Sequence, residues 1–149
     1  MRAPVERTLR ERALSLLTRR EHARAELARK LAPHAESSEE LERLLDELAA
    51  RKLLSDSRYA EMRVTVRAGR YGDQRLRQEL TAVGVDEDTI ATALEGTDDE
   101  LSRARSVWLK KFGTPAADAA ARAKQMRFLA QRGFSMEIIR RVLRGLDDE

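Results

Sequence analysis

The sequence predicts an all-α protein: three tandem three-helix repeats, each helix-turn-helix-like, in an elongated, curved arrangement. Three observations carry the prediction. Apolar residues recur at helical spacing, and no run of Val, Ile and Thr alternates with period two. Hydrophobic residues make up 42% and charged residues 37% of the 149-residue chain, against roughly 25% charged in an ordinary domain, which suits amphipathic helices with much exposed surface. Finally, the chain repeats itself. Leu80, Gly84, Val85, Ile90 and Leu94 match Leu129, Gly133, Phe134, Ile139 and Leu143, all at an offset of 49.

The first repeat is a looser copy, expected over residues 1–54. Glu26-Leu27-Ala-Arg-Lys-Leu31 matches the helix before the glycine, and Leu44 and Leu48 match Ile90 and Leu94. Seven extra residues around Pro33-His34-Ala-Glu-Ser separate the two parts. Its helices are predicted over 5–18, 21–32 and 39–51. Ser37 with Glu40 has the S/T-x-x-E capping-box spacing, in which two orphan amides are satisfied reciprocally.

The second repeat, 55–97, is predicted to hold helices over 56–69, 73–83 and 87–95. Gly84 stands where a helix must end in a left-handed residue, and Asp86 is a suitable N-cap for the helix that follows. Gly69-Arg70-Tyr71-Gly72 has no P-loop lysine after it and no strand before it, so it reads as a flexible link rather than a phosphate cradle. The third repeat, 98–149, is predicted to hold helices over 98–112, 117–132 and 136–146. Thr97 with Glu100 suggests a second capping box, Gly133 ends the middle helix, and Ser135 caps the last. The expected core is Leu14, Leu17, Leu27, Leu31, Leu44, Leu48, Val64, Leu76, Leu80, Ile90, Leu94, Trp108, Leu129, Ile139 and Leu143. A unit this small buries little surface alone, so neighbouring copies should pack on one another.

Charge alternates along the chain. Residues 1–35 are net +5, 36–57 are −4, 58–84 are +3, 85–101 are −7 and 102–144 are +9. Acidic groups gather at helix starts, where the macrodipole favours them. The cations are mostly arginine, 24 Arg to 5 Lys, and arginine pairs with phosphate or carboxylate through two points.

The chemistry of an enzyme is missing. With no cysteine, disulfides, zinc-thiolate sites and thiol nucleophiles are excluded. His22 and His34 are far apart in sequence, lack H-x-x-x-H partners, and read as surface residues at helix ends. Trp108 and Phe112, at i,i+4 beside Lys110-Lys111, read as core with a basic outer face. The acidic ends at 98–100 and 147–149 read as a helix start and a frayed tail. No catalytic residue, cofactor or metal is expected. The N-terminal residues have neither a secretory signal pattern nor an 18-residue apolar run, so a cytoplasmic location is expected.

Three segments resemble the RecX family, regulatory proteins of the bacterial recombinase RecA. Ala13-Leu14-x-x-Leu17-x-Arg19-Arg20-Glu21-His22-x-x-x-Glu26-Leu27-x-x-Lys30-Leu31 is similar to its opening repeat. Leu53-Leu54-Ser55-Asp56-x-Arg58-Tyr59-Ala60 is similar to the segment that starts its second repeat, with Ser55 where the family often has Asp. Arg127-Phe128-Leu129-x-x-Arg132-Gly133-Phe134 is similar to its closing motif. The resemblance implies tandem three-helix repeats. It also implies a non-enzymatic regulator in DNA repair and the SOS response, one that binds RecA and its nucleoprotein filament on single-stranded DNA and inhibits or modulates its recombinase, ATPase and coprotease activities. Weak direct contact with DNA is compatible with that role, and a monomer is expected. Partner contacts with RecA or DNA are then expected from the basic outer faces: Arg19, Arg20 and Arg24; Arg67, Arg70, Arg75 and Arg77; Lys110, Lys111, Arg122, Lys124 and Arg127; Arg140 and Arg141. The alternatives are a helix-turn-helix DNA-binding protein and a helical-repeat scaffold. The helix after Gly84 opens Glu87-Asp88, which phosphate would repel, and this counts against groove reading by the middle repeat.

Overall fold

The computed structural model describes residues 6–147. These form nine α-helices and one 3₁₀ turn. The first unit contains α1 (Leu9–Arg19), α2 (Arg24–Leu31) and α3 (Ser38–Ala50), with the 3₁₀ turn Ala32–His34 taking up the extra residues after α2. The second contains α4 (Asp56–Arg67), α5 (Asp73–Ala82) and α6 (Glu87–Glu95). The third contains α7 (Glu100–Lys111), α8 (Ala119–Gln131) and α9 (Met136–Asp147).

The element pairs that pack most extensively all lie within one unit. There are accordingly three buried clusters. Leu27, Leu31, Leu45 and Leu48 centre the first; Val64, Leu76, Leu80 and Ile90 the second; and Trp108, Leu129, Phe134 and Ile139 the third. The molecule exposes 9822 Å², whereas a compact chain of this mass would expose about 7,700 Å². Most of the expected core is buried. Leu14 and Leu17 pack against the first cluster but stay partly exposed, and Leu9 and Ala13 hold the buried positions of that helix.

Several local expectations are corrected. Helix α1 starts at Leu9, because Thr8 and Glu11 form a reciprocal capping box there; residue 5, where the sequence pattern placed its start, lies outside the described residues, as do 148 and 149 of the acidic tail. Ser37 caps α3 through the Glu40 amide at 3.1 Å, but the Glu40 carboxylate accepts from the Glu36 amide instead of returning to Ser37. Thr97 is not a cap: Asp99 takes that position and accepts from the Ser102 amide at 2.8 Å. Asp86 and Ser135 cap α6 and α9 as expected. Gly84 and Gly133 have φ of 84° and 91°, the left-handed region that a Cβ disfavours.

The joints between units follow one rule. Helices α2 and α5 have Ala23 and Gly72 at the N-cap, neither of which offers a side-chain cap. In both cases the cap comes from the first residue of the next unit's first helix. Asp56 Oδ1 accepts the Arg24 amide at 2.7 Å, and Glu100 Oε2 accepts the Asp73 amide at 3.2 Å. Each carboxylate thereby faces two helix N-termini, where the macrodipole favours it. The turn glycine of the next unit closes on the same place. A Cβ on Gly84 would lie 2.5 Å from the Ala25 Cβ, and one on Gly133 2.4 Å from the Arg75 Cβ. Helix α8, by contrast, is capped within its own unit, by Asp118 on the Ala121 amide at 2.8 Å.

Candidate functional site

The second joint is built from polar contacts that cross between units. Arg103 of α7 is buried, and its guanidinium reaches back into the second unit. It donates to the carbonyls of Ala68 at 2.9 Å and Tyr71 at 2.8 Å, and to Asp73 Oδ1 at 2.8 Å. It therefore satisfies orphan carbonyls at the end of α4. The Gly72 amide donates to the Arg132 carbonyl at 2.8 Å and the Gln74 amide to the Gly133 carbonyl at 3.2 Å. Residues 69–72 are thus no flexible link: Gly72 is buried and bonded into the next unit. Glu100 accepts from the amides of Asp73 and Ser135. Its burial, and then the neighbouring Asp73 carboxylate, push its pKa up, against the opposing pull of those amides.

This joint shapes a groove lined by Gly69, Arg70, Val107, Lys110, Lys111, Phe128 and Arg132. Four cations from two units face it and no carboxylate does. Two stack on Phe128: the Lys111 ammonium lies 5.4 Å and the Arg132 guanidinium 5.1 Å from the ring centroid, while Phe112 meets the same ring edge-on at 5.4 Å. Arg132 also lies 5.3 Å from the Tyr71 ring. Such contacts hold cations in place without neutralising them.

The cations expected to reach a partner divide into two sets. One set is in ion pairs within the chain. Arg20 is held by Glu26, Arg24 by Glu42 and Asp46, and Arg77 by Glu87. Arg67 makes a two-point pair with Glu79 at 2.6 and 2.7 Å, and Arg75 approaches the same carboxylate at 3.5 Å. Arg67 and Arg75 also lie over Tyr71, at 4.4 and 4.3 Å. Partial burial alone would raise the Glu79 pKa, but Arg67, then Arg63 and Arg75, hold it below the usual range. The second set is exposed. Arg70, Lys110 and Lys111 converge on the groove; Arg19 lies on the first unit, Arg122, Lys124 and Arg127 on α8, and Arg140 and Arg141 on α9. Arg132 is the groove cation that sequence reasoning passed over. It lies in the segment that resembles the closing motif, directly before Gly133, and nothing in that local pattern marks it as a contact.

His22 is also corrected. It is buried, at 1% exposure, with Nδ1 3.1 Å from the Arg20 carbonyl and Nε2 3.1 Å from Lys30 Nζ. Trp108 is core, as expected, and donates to Gln125 Oε1 at 2.9 Å; Gln125 in turn donates to the Thr114 carbonyl at 3.2 Å, tying down the α7–α8 loop. Among the described residues no group of three His, Asp or Glu side chains is placed to hold a metal ion, and no helix is long and apolar enough to cross a membrane.

Tandem three-helix units sharing caps, with a cationic groove at a joint and polar side chains used for cohesion, define a helical-repeat protein. Comparison with known proteins places it further. Residues 55–94 match the family model described as RecX, second three-helix domain, and residues 98–143 that described as RecX, third three-helix domain. The chain is 51% identical over 143 residues to the regulatory protein RecX of Chromobacterium violaceum, covering 96% of this chain and 93% of that protein. It is 44% identical over 144 residues to that of Neisseria meningitidis, covering 97% and 94%. The crystal structure of RecX from Lactobacillus salivarius has the same fold, with a TM-score of 0.81 at 21% identity over 95% of this chain and 96% of that one. The chain belongs to the RecX family.

Proposed function

We propose that this protein is a non-catalytic cytoplasmic regulator that binds RecA and the RecA filament on single-stranded DNA. Binding modulates the recombinase, ATPase and coprotease activities that serve DNA repair and the SOS response. Family membership supports the reading, and the observation that carries it is the groove where Arg70 of one unit meets Lys110, Lys111 and Arg132 of the next. A cationic surface spanning a joint suits a partner that presents acidic protein surface or phosphate along its length.

In this reading the units are 1–54, 55–97 and 98–149, the active species is a monomer, and the groove is the main contact. Lys124 and Arg127 on α8, and Arg140 and Arg141 on α9, are exposed cations that steer encounter. The ion-paired Arg20, Arg24, Arg67, Arg75 and Arg77 serve cohesion first.

The test is RecA ATPase on single-stranded DNA, with this protein titrated in below the RecA concentration and RecA taken from the same source. Strong inhibition at substoichiometric levels supports the reading and favours filament-end capping or propagated disruption over one-to-one coating. No effect at a several-fold excess defeats it and leaves the scaffold and DNA-binding readings.

A further inference from the structure

A second cationic concavity lies away from the groove, between α1 and the end of α2. Arg7, Arg12, Arg19, Lys30 and His34 line it beside the Ser15 hydroxyl, over a floor of Leu16 and Leu31. No carboxylate lines it. Elsewhere in the same unit Arg10, Arg20 and Arg24 are all ion-paired. Among the described residues, Arg7, Arg12, Arg19 and Lys30 have no carboxylate partner, and Arg7 makes only a 3.4 Å contact with Ser15 Oγ.

Lys30 is held by an unusual partner. His22 Nδ1 faces the Arg20 carbonyl and is therefore the N–H donor, so Nε2 carries the lone pair that accepts from the Lys30 ammonium. Burial favours the same neutral ring, and the charges of Arg20 and Lys30 add to it, against the opposing pull of the Arg20 carbonyl. A neutral imidazole thus fixes the ammonium without cancelling its charge and leaves two N–H groups for a ligand.

We propose that this concavity is a phosphate-binding site, distinct from the groove at the second joint. Three guanidinium forks and a fixed ammonium exceed what one carboxylate can satisfy with two oxygens and a single charge. They suit phosphate groups, which present more oxygens and recur in series. The phosphates come either from a single-stranded nucleic-acid backbone or from the polyphosphate of a nucleotide. The inference does not rest on the RecA reading, because binding is measured with RecA absent.

The test uses the full chain with two probes: fluorescein-labelled oligothymidylate, followed by anisotropy across a salt series, and inorganic tripolyphosphate, followed by calorimetry. The variant is Arg12→Ala with Arg19→Ala. The charge-matched control is Arg43→Ala with Arg144→Ala, on exposed positions of α3 and α9. Arg19, Arg43 and Arg144 are exposed, Arg12 is half-buried, and none of the four is in an ion pair among the described residues, so melting should be nearly unchanged in both. The expected result is an affinity loss of tenfold or more for the first pair and little for the control. If the ligand is a strand, the slope of log affinity against log salt falls by about 1.4 for two lost contacts. Binding of oligothymidylate with little competition by tripolyphosphate identifies the strand, and the reverse identifies the nucleotide. The proposal is overturned if neither probe binds, if both variants lose affinity equally, or if polyglutamate displaces both probes from the wild-type protein.

Discussion

Gly72 and Gly133 approach so closely that a Cβ on the first would stand 2.3 Å from the carbonyl oxygen of the second. Backbone cannot yield to such a contact as a flexible side chain would. Gly133→Ala meets a second obstacle, because its φ of 91° disfavours any Cβ. Either alanine should cost about 3 kcal/mol and loosen the third unit from the second. Trp108 is the only tryptophan and is buried in the third cluster, so its fluorescence reports on that unit directly. Its unfolding midpoint in urea should fall in both variants, and an unchanged midpoint would mean the joint adjusts.

Arg103 should be as sensitive. Removing its side chain leaves the Ala68 and Tyr71 carbonyls and the Asp73 carboxylate without the donor they share. Arg103→Ala should lower unfolding free energy by about 3 kcal/mol. Arg103→Lys should recover only part of that, because one ammonium cannot reach three divergent acceptors as a guanidinium does. Denaturant titration of the two variants separates charge from fork geometry.

Surface and cohesive cations should behave oppositely. Lys110→Ala with Lys111→Ala should weaken modulation of RecA on the order of tenfold, ~1.4 kcal/mol, with the melting temperature unchanged. Arg67→Ala should lower the melting temperature, because it breaks the two-point pair with Glu79. ATPase titrations alongside thermal melts check both, and equal behaviour of the two variants would dissolve the distinction.

Acid should act through two carboxylates in opposite directions. The folded pKa of Glu79 is depressed, so its contribution is present above its unfolded value near 4.5 and is lost as pH falls through the folded value. That of Glu100 is raised, so its contribution is complete below 4.5 and is lost as pH rises through the folded value. Glu79→Gln should therefore destabilise most at neutral pH, and Glu100→Gln most in acid. Urea midpoints on either side of 4.5 give the signs.

Most of the fold was legible because its signals are local. Leu80, Gly84 and Ile90 announce a helix, a left-handed turn and a second helix within a dozen residues, and the same pattern returns 49 residues later. The features that escaped depend on the neighbouring unit. Ala23 and Gly72 look like poor helix starts because their caps are Asp56 and Glu100, in the next unit. His22 looks like a terminal surface residue until the chain buries it. The same holds for the site: no local pattern tells that Glu42 and Asp46 will occupy Arg24, or that Arg70 will stand across a groove from Lys110 and Arg132.

The borrowed caps give the chain a direction. When α2 leaves the ribosome its first amide waits for Asp56, and when α5 follows, its own waits for Glu100. Each early helix is thus finished by chain made later, whereas α8 brings Asp118 with it. The third unit, synthesised after the other two, brings the Glu100 carboxylate and the Arg103 guanidinium on which the second unit is completed, as the second brings Asp56 to the first. Assembly would then run backwards along a chain that is made forwards.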